Sequence, residues 1–263
     1  MGELFDAGSA GFTAWSSRLW EPLGEALVRL GAPQPGERAL DACCGTGASA
    51  LPAALAVGPT GWVDGVDLAD RLLDQARRNA ARRGLDNVRF SCADVTTWQG
   101  APYDLVQCGY GVHLLPDMTA GARHLVSLLR GGGRLAVATG GVGVFQPLLG
   151  LVDQAVARER GDESLAVPPR PSDRINTPDK LRGWMETLGV RVVDIAIVPF
   201  TVTLDSPELT WALVTGSALR FLLTGLGPEA VARVRADVLG EIHHGAEPKL
   251  DVPTLIAVGR APG

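Results

Sequence analysis

Short apolar runs of strand length alternate with runs of helical period from residue 37 to about residue 140, and this rhythm restricts the fold more than any other feature. Strand-like runs lie at 37–43, 62–66, 88–92, 104–108 and 135–138. Between them the spacing predicts a helix from about Ser49 to Val57, a strongly helical stretch over 69–83 ended by Gly84, and a helix over 117–130 closed by Gly131-Gly132-Gly133. Pro52 is compatible with the first of these, because N–H groups in a first helical turn have no intrahelical partner. Such alternation predicts parallel βαβ units in an open, doubly wound α/β sheet.

The flanks read differently. Residues 9–31 look like one helix, with Trp15, Leu19, Leu23, Leu27 and Leu30 at helical spacing and Gly31 as a stop. Residues 140–175 are rich in glycine, proline and charge, with a helix near 147–160. A helix over about 177–188 follows, with Thr177 as N-cap and Pro178 at its first position. Then come a β-rich stretch at 190–204, two helical pieces over 207–242 split near Gly225-Leu226-Gly227-Pro228, and a last strand at 252–258. One domain over 1–263 is expected, with 1–31, 140–175 and 205–242 as lid elements over an acceptor site.

The formal net charge is −5, and the richest basic run, Arg77, Arg78, Arg82 and Arg83, falls on a helix as a solvated face. Nucleic acid is therefore not the expected partner. The uncharged stretches 42–63 and 135–152 are each broken by glycine and proline, so neither reads as a membrane span, and the first ten residues do not read as a signal peptide. Cys43, Cys44, Cys92 and Cys108 lie in segments that read as buried strands or strand ends, without zinc spacing. A reduced, cytoplasmic protein with no metal site is expected.

Leu40-Asp41-Ala42-Cys43-Cys44-Gly45-Thr46-Gly47 stands where a strand turns into a helix. Gly45 and Gly47 permit close backbone approach to a ligand, and the helix start favours an anionic group. Gly45 to Ala50 also satisfies the dinucleotide pattern G-x-G-x-x-A. Asp67 ends the second strand, 20 residues beyond Gly47, where a carboxylate can accept from ribose hydroxyls; Asp64 is the second choice. Asp94 follows the third strand and can accept from an adenine amino group. Each aspartate taken singly also reads as a helix N-cap. The three together, at the ends of three successive strands, favour a nucleoside ligand.

These residues, with Tyr103–Asp117 and Leu128–Leu135, resemble the ordered motifs of class I S-adenosylmethionine-dependent methyltransferases, and most of all the ubiquinone/menaquinone-type small-molecule branch. The resemblance covers roughly residues 37–140. It implies a Rossmann-like, mostly parallel seven-stranded sheet, S-adenosylmethionine as cofactor and S-adenosylhomocysteine as product. It places Gly45, Thr46 and Gly47 against the cofactor's amino-acid part, with Asp41 supporting the loop and the ammonium group. Asp67, with Leu68 beside it, would hold the ribose, and Asp94 with the Val95 backbone the adenine. Cys43 stands where the family often has another glycine.

His113 follows the fourth strand on the rim where an acceptor would lie, and is the candidate base, or else a rim residue that only shapes the pocket. Tyr110 would line the methyl-transfer site or pack in the core. Trp15 and Trp20 read either as covers over the cofactor or as core. The adjacent His243 and His244 point apart on a helix and do not read as a metal pair. The expected partner is an uncharged small-molecule acceptor, with a homodimer left open as the assembly. Two rivals stand beside this reading: a cofactor-binding protein that catalyses a cyclisation or rearrangement, and an NAD(P)-dependent oxidoreductase.

Overall fold

The computed structural model describes residues 1–100, 102–162, 170–244 and 248–263. Helices α1 (Gly2–Ala7) and α2 (Ser9–Ala14), a π-helical turn (Ser16–Trp20) and α3 (Glu21–Gly31) lead into β1 (Arg38–Ala42). Then come α4 (Ala50–Val57), β2 (Trp62–Asp67), α5 (Asp70–Arg82), β3 (Val88–Cys92), β4 (Tyr103–Gly109), α6 (Met118–Ser127) and β5 (Leu129–Gly140). The second half supplies α7 (Leu148–Arg160), α8 (Pro178–Glu186), β6 (Arg191–Val198), β7 (Thr201–Thr203), α9 (Pro207–Gly216), α10 (Pro228–Ile242), β8 (Lys249–Asp251) and β9 (Thr254–Arg260).

Seven strands form one sheet in the order β3-β2-β1-β4-β5-β9-β6. Neighbours from β3 to β5 are parallel, and β9 runs antiparallel to both β5 and β6. This is the doubly wound, mostly parallel seven-stranded sheet that the sequence predicts. The strand order reverses on either side of β1, between β2 and β4, where open α/β sheets form a crevice at the carboxyl ends of their strands.

Periodicity explains how the sheet is covered. On α5, Leu72, Leu73, Ala76 and Ala80 face inward and its arginines outward. They share a core with Leu27 of α3, Leu51 and Ala54 of α4, and Ala39, Leu105 and Ala136 of the sheet. On the opposite face Met118 and Leu125 of α6 and Leu181 and Met185 of α8 pack on Leu40, Val106 and Val137. The α8 cap is as expected, with Thr177 Oγ1 accepting from the Lys180 N–H and Pro178 in the first turn. A third core joins the flanks: Trp15, Leu19 and Trp20 pack with Leu148 and Val152 of α7, Leu213 of α9, Val234 and Val238 of α10, and Leu250 of β8.

Three expectations are corrected. The stretch 9–31 is not one helix; its π-helical turn directs Leu19 and Trp20 into the flanking core while α3 directs Ala26 and Leu27 under the sheet. Gly131-Gly132-Gly133 does not close a helix but lies within β5, where the ladder to β4 jumps from Tyr103–Leu129 to Leu105–Arg134. Gly132, at φ 71°, permits that irregularity. Cys92 is exposed, not buried. Among the described residues no helix is long and apolar enough to cross a membrane.

α2 and α9 touch backbone to backbone. A Cβ on Gly216 would lie 2.2 Å from the Phe12 nitrogen and 2.3 Å from the Gly11 carbonyl carbon, and one on Gly11 would lie 2.5 Å from the Ala212 oxygen. We expect Gly216→Ala to lower unfolding free energy by about 1–3 kcal/mol through overpacking. Gly183→Ala, in the middle of α8 with nothing near its would-be Cβ, is expected to raise it by about 0.5–1 kcal/mol. Urea denaturation of both variants beside wild type checks the pair.

Candidate active site

The turn after β1 is built by left-handed backbone. Cys43, Gly45 and Gly47 have φ of 58°, 53° and 86°, so the two glycines answer a conformational need and Cys43 meets the same need at some cost. The turn is tied to its neighbours: Cys44 N–H donates to the Val66 carbonyl, and the Asn79 amide donates to the Thr46 carbonyl at 3.1 Å. Asp67, at the end of β2, accepts from the Gly45 N–H and the Ala69 N–H, both at 2.9 Å. One carboxylate thereby sets both the glycine turn and the start of α5. Burial pushes its pKa up, against the pull of those N–H donors.

Asp41 is wholly buried. Ser49 Oγ, at the start of α4, reaches its two carboxylate oxygens at 3.0 and 2.8 Å. Burial raises its pKa to about 7, opposed by the Ser49 bond, while the nearby Asp67 raises it further. Ser49 was not among the expected site residues. Its only signal is its place, eight residues after Asp41 at a helix start.

Asp94 is exposed just past β3, and its Oδ1 accepts from the Thr96 N–H at 2.8 Å and the Thr96 hydroxyl at 2.7 Å. Val95 is buried beneath it, and Leu68 is exposed. The Ala93 N–H donates to the Asp67 carbonyl, which joins the ends of β2 and β3. Asp64, the second choice for the ribose, does other work. It is buried, accepts from Tyr103 Oη, Trp62 Nε1 and Arg89, and lies within 3.7 Å of Arg38.

The structure brings Asp41, the glycine turn, Asp67 and Asp94 to one edge of the sheet. The N-terminal segment lies across it. A Cβ on Gly45 would sit 3.3 Å from the Phe12 ring, Ser16 Oγ is 3.4 Å from Thr46 Oγ1, and Asp6 accepts from the Arg71 N–H. Phe12 stacks on Trp20 at 4.9 Å between centroids, and Trp20 meets Tyr110 edge-on at 6.2 Å. Trp15 is fully buried and donates to the Leu209 carbonyl, which makes it core.

Tyr110 follows β4 in left-handed backbone, at φ 57°. Its hydroxyl is 2.6 Å from Thr254 Oγ1, and burial raises its pKa further from neutrality. His113 sits in a short 3-10 turn after β4, with a buried Nδ1 that has no partner among the described residues. Burial lowers its pKa to about 4, so the ring is neutral near pH 7. His243 bonds Thr210, and among the described residues no cluster of three or more metal-ligating side chains occurs.

Residues 39–133 match the methyltransferase domain family. The aklanonic acid methyltransferase of a Streptomyces species (strain C5) is 36% identical over 136 residues, covering 51% of this chain and 62% of that protein. The demethylmenaquinone methyltransferase of Halalkalibacterium halodurans is 34% identical over 104 residues, covering 39% of this chain and 42% of that protein. The chain thus spans only part of the length of each. The solved structure of the cyclase SpnF superposes with a TM-score of 0.58 at 20% identity, over 92% of this chain and 80% of that one, a likeness of fold. Residues 39–133 of this chain thus resemble a methyltransferase domain.

Proposed function

We propose that this chain transfers a methyl group from S-adenosylmethionine to an O, N or C atom of a small, uncharged acceptor in specialised metabolite biosynthesis, in the cytoplasm. One observation carries the reading: the Asp67 carboxylate, at the end of β2, holds the glycine turn from the ribose side of the strand-order reversal. The residues present fit such a cofactor. The left-handed Gly45 and Gly47 let the backbone of the turn approach a ligand, Asp67 and Asp94 offer carboxylate oxygens for a nucleoside, and Asp41 offers one for an ammonium. The methyltransferase-domain match over 39–133 supports this reading over the nicotinamide alternative. The largely apolar flanking core and the net charge of −5 support an uncharged acceptor over a nucleic acid.

S-adenosylmethionine, when bound, supplies a methyl group on an already electrophilic sulfonium. The chain's own task is then to align the acceptor, exclude water and manage one proton. Phe12 and Trp20 cover the glycine turn from the N-terminal side and keep water from it. His113, whose buried Nδ1 has no partner among the described residues, would take up the proton that the acceptor's O–H or N–H gives up. Tyr110, its hydroxyl held by Thr254, presents a fixed ring and does not itself carry the proton.

Calorimetry with S-adenosylhomocysteine tests the cofactor site. Asp67→Ala is expected to weaken binding about tenfold or more, the worth of a hydrogen bond to a charged group. Tight binding of NAD or NADP in its place would sink the reading. Product mass separates methyl transfer, which adds one CH₂ unit, from a rearrangement, which adds nothing.

Asp41 gives a pH dependence. Only its carboxylate form attracts an ammonium, and it loses its proton as pH rises through about 7. Affinity for S-adenosylhomocysteine is therefore expected to rise about tenfold from pH 6 to pH 8 and to level off above. The ligand-free fold, in contrast, gives up stability as pH rises from the ordinary aspartate range through about 7. Asp41→Asn is expected to flatten both profiles. With an acceptor in hand, His113→Gln is expected to lower kcat by about 10²-fold to 10⁴-fold while S-adenosylhomocysteine binding stays within twofold.

A further inference from the structure

Gln107 lies in the middle strand β4, across the ladder from Asp41 in β1. Residues paired in neighbouring parallel strands project from the same face. Both side chains therefore emerge on the α3 and α4 face, among Ala39, Leu105 and Ala136. Both residues are wholly buried. Neither Oε1 nor Nε2 of Gln107 has a hydrogen-bond partner among the described residues. Burying a polar group unpaired costs about 1–3 kcal/mol, and an apolar residue would fill this position without that cost.

The surroundings indicate what the amide awaits. The Asp41 carboxylate takes its side-chain bonds from one hydroxyl, that of Ser49, and enters no ion pair among the described residues. Asp67 stands close enough to disfavour its charge, and the Gln107 amide faces it across the ladder. The cluster is thus rich in acceptor oxygens and short of donors. A small cationic donor complements it, and an ammonium offers three N–H groups to share between a carboxylate and an amide oxygen.

We propose that Gln107 is a positioning residue for the ammonium end of the cofactor's amino-acid group, steadying the Asp41 carboxylate with Nε2 and offering Oε1 as a second acceptor. The proposal rests on the methyltransferase reading above. Because that reading assigns the nucleoside to Asp67 and Asp94, the two ends of the ligand can be probed apart.

The test is calorimetry on the full chain with two probes. S-adenosylhomocysteine carries the amino acid; 5′-methylthioadenosine keeps the nucleoside and sulfur and lacks it. Gln107→Met removes both polar atoms at nearly constant volume. It is expected to weaken S-adenosylhomocysteine at least tenfold and to leave 5′-methylthioadenosine within twofold. On an Asp41→Asn background the same change is expected to weaken binding less than it does in wild type, because the part that acts through Asp41 is already lost while the loss of Oε1 remains. If Gln107→Met does not fold, Gln107→Asn, which retracts the amide by one methylene, carries the same expectation. Equal weakening of both probes would mark Gln107 as a structural residue and overturn the proposal, as would unchanged S-adenosylhomocysteine binding. Failure of wild type to bind either probe would instead remove the cofactor reading itself, and this proposal with it.

Discussion

The carboxylate of Asp67 accepts one N–H from the turn after β1 and another from the residue before α5, and the site edge is organised around that pair of bonds. A parallel sheet delivers the ends of β1, β2 and β3 side by side, but it does not by itself fix the loops above them. Asp67 supplies that fixing at the point where the chain leaves β2. The left-handed residues Cys43, Gly45 and Gly47 then shape the turn that stands above the sheet there. With burial already raising the proton affinity of Asp67, a neutral Asp67 would keep its shape yet lose much of its pull on those N–H groups.

Asp41 shows a related tension deeper in the sheet. A wholly buried carboxylate with one hydroxyl as its side-chain partner is an expensive choice for a strand. Its neighbours on the same face are alanines and leucines, so packing does not ask for it. A strand that needed only to be buried would carry valine there. Together with Ser49 and Gln107 it places polar chemistry under the glycine turn, which puts the burden of explanation on what the turn binds.

Much of this was legible in the sequence. Alternating periods over 37–140 specify the sheet and its helices, because strand and helix patterns cannot be exchanged without burying the wrong face. The positions of Asp41, Asp67 and Asp94 follow from the same pattern, since each closes or lines a predicted strand. Other features depended on contacts far apart in the chain. The break in the stretch 9–31 arises because its two halves serve different cores, one of them shared with α7, α9 and α10. The three glycines of β5 mimic a helix stop, as the same φ freedom serves a bulge. Asp64 stands second to Asp67 in the sequence, and what engages it, Tyr103 and Arg89, comes from later strands. Gln107 gave no signal, because a lone polar residue in an apolar run acquires meaning only from the strand beside it.

The close seating of α2 on α9 ties together segments about 200 residues apart. A growing chain emerges from its N-terminus, so α2 exists long before the surface that receives it. At the usual 5–20 residues per second, about 10–40 s of synthesis separate the two. During that interval β1 to β5 and the glycine turn are already made, while Phe12 has no α9 to hold its helix in place. The nascent ligand cradle is therefore open to its surroundings until α9 has been made, and only then can its cover be seated.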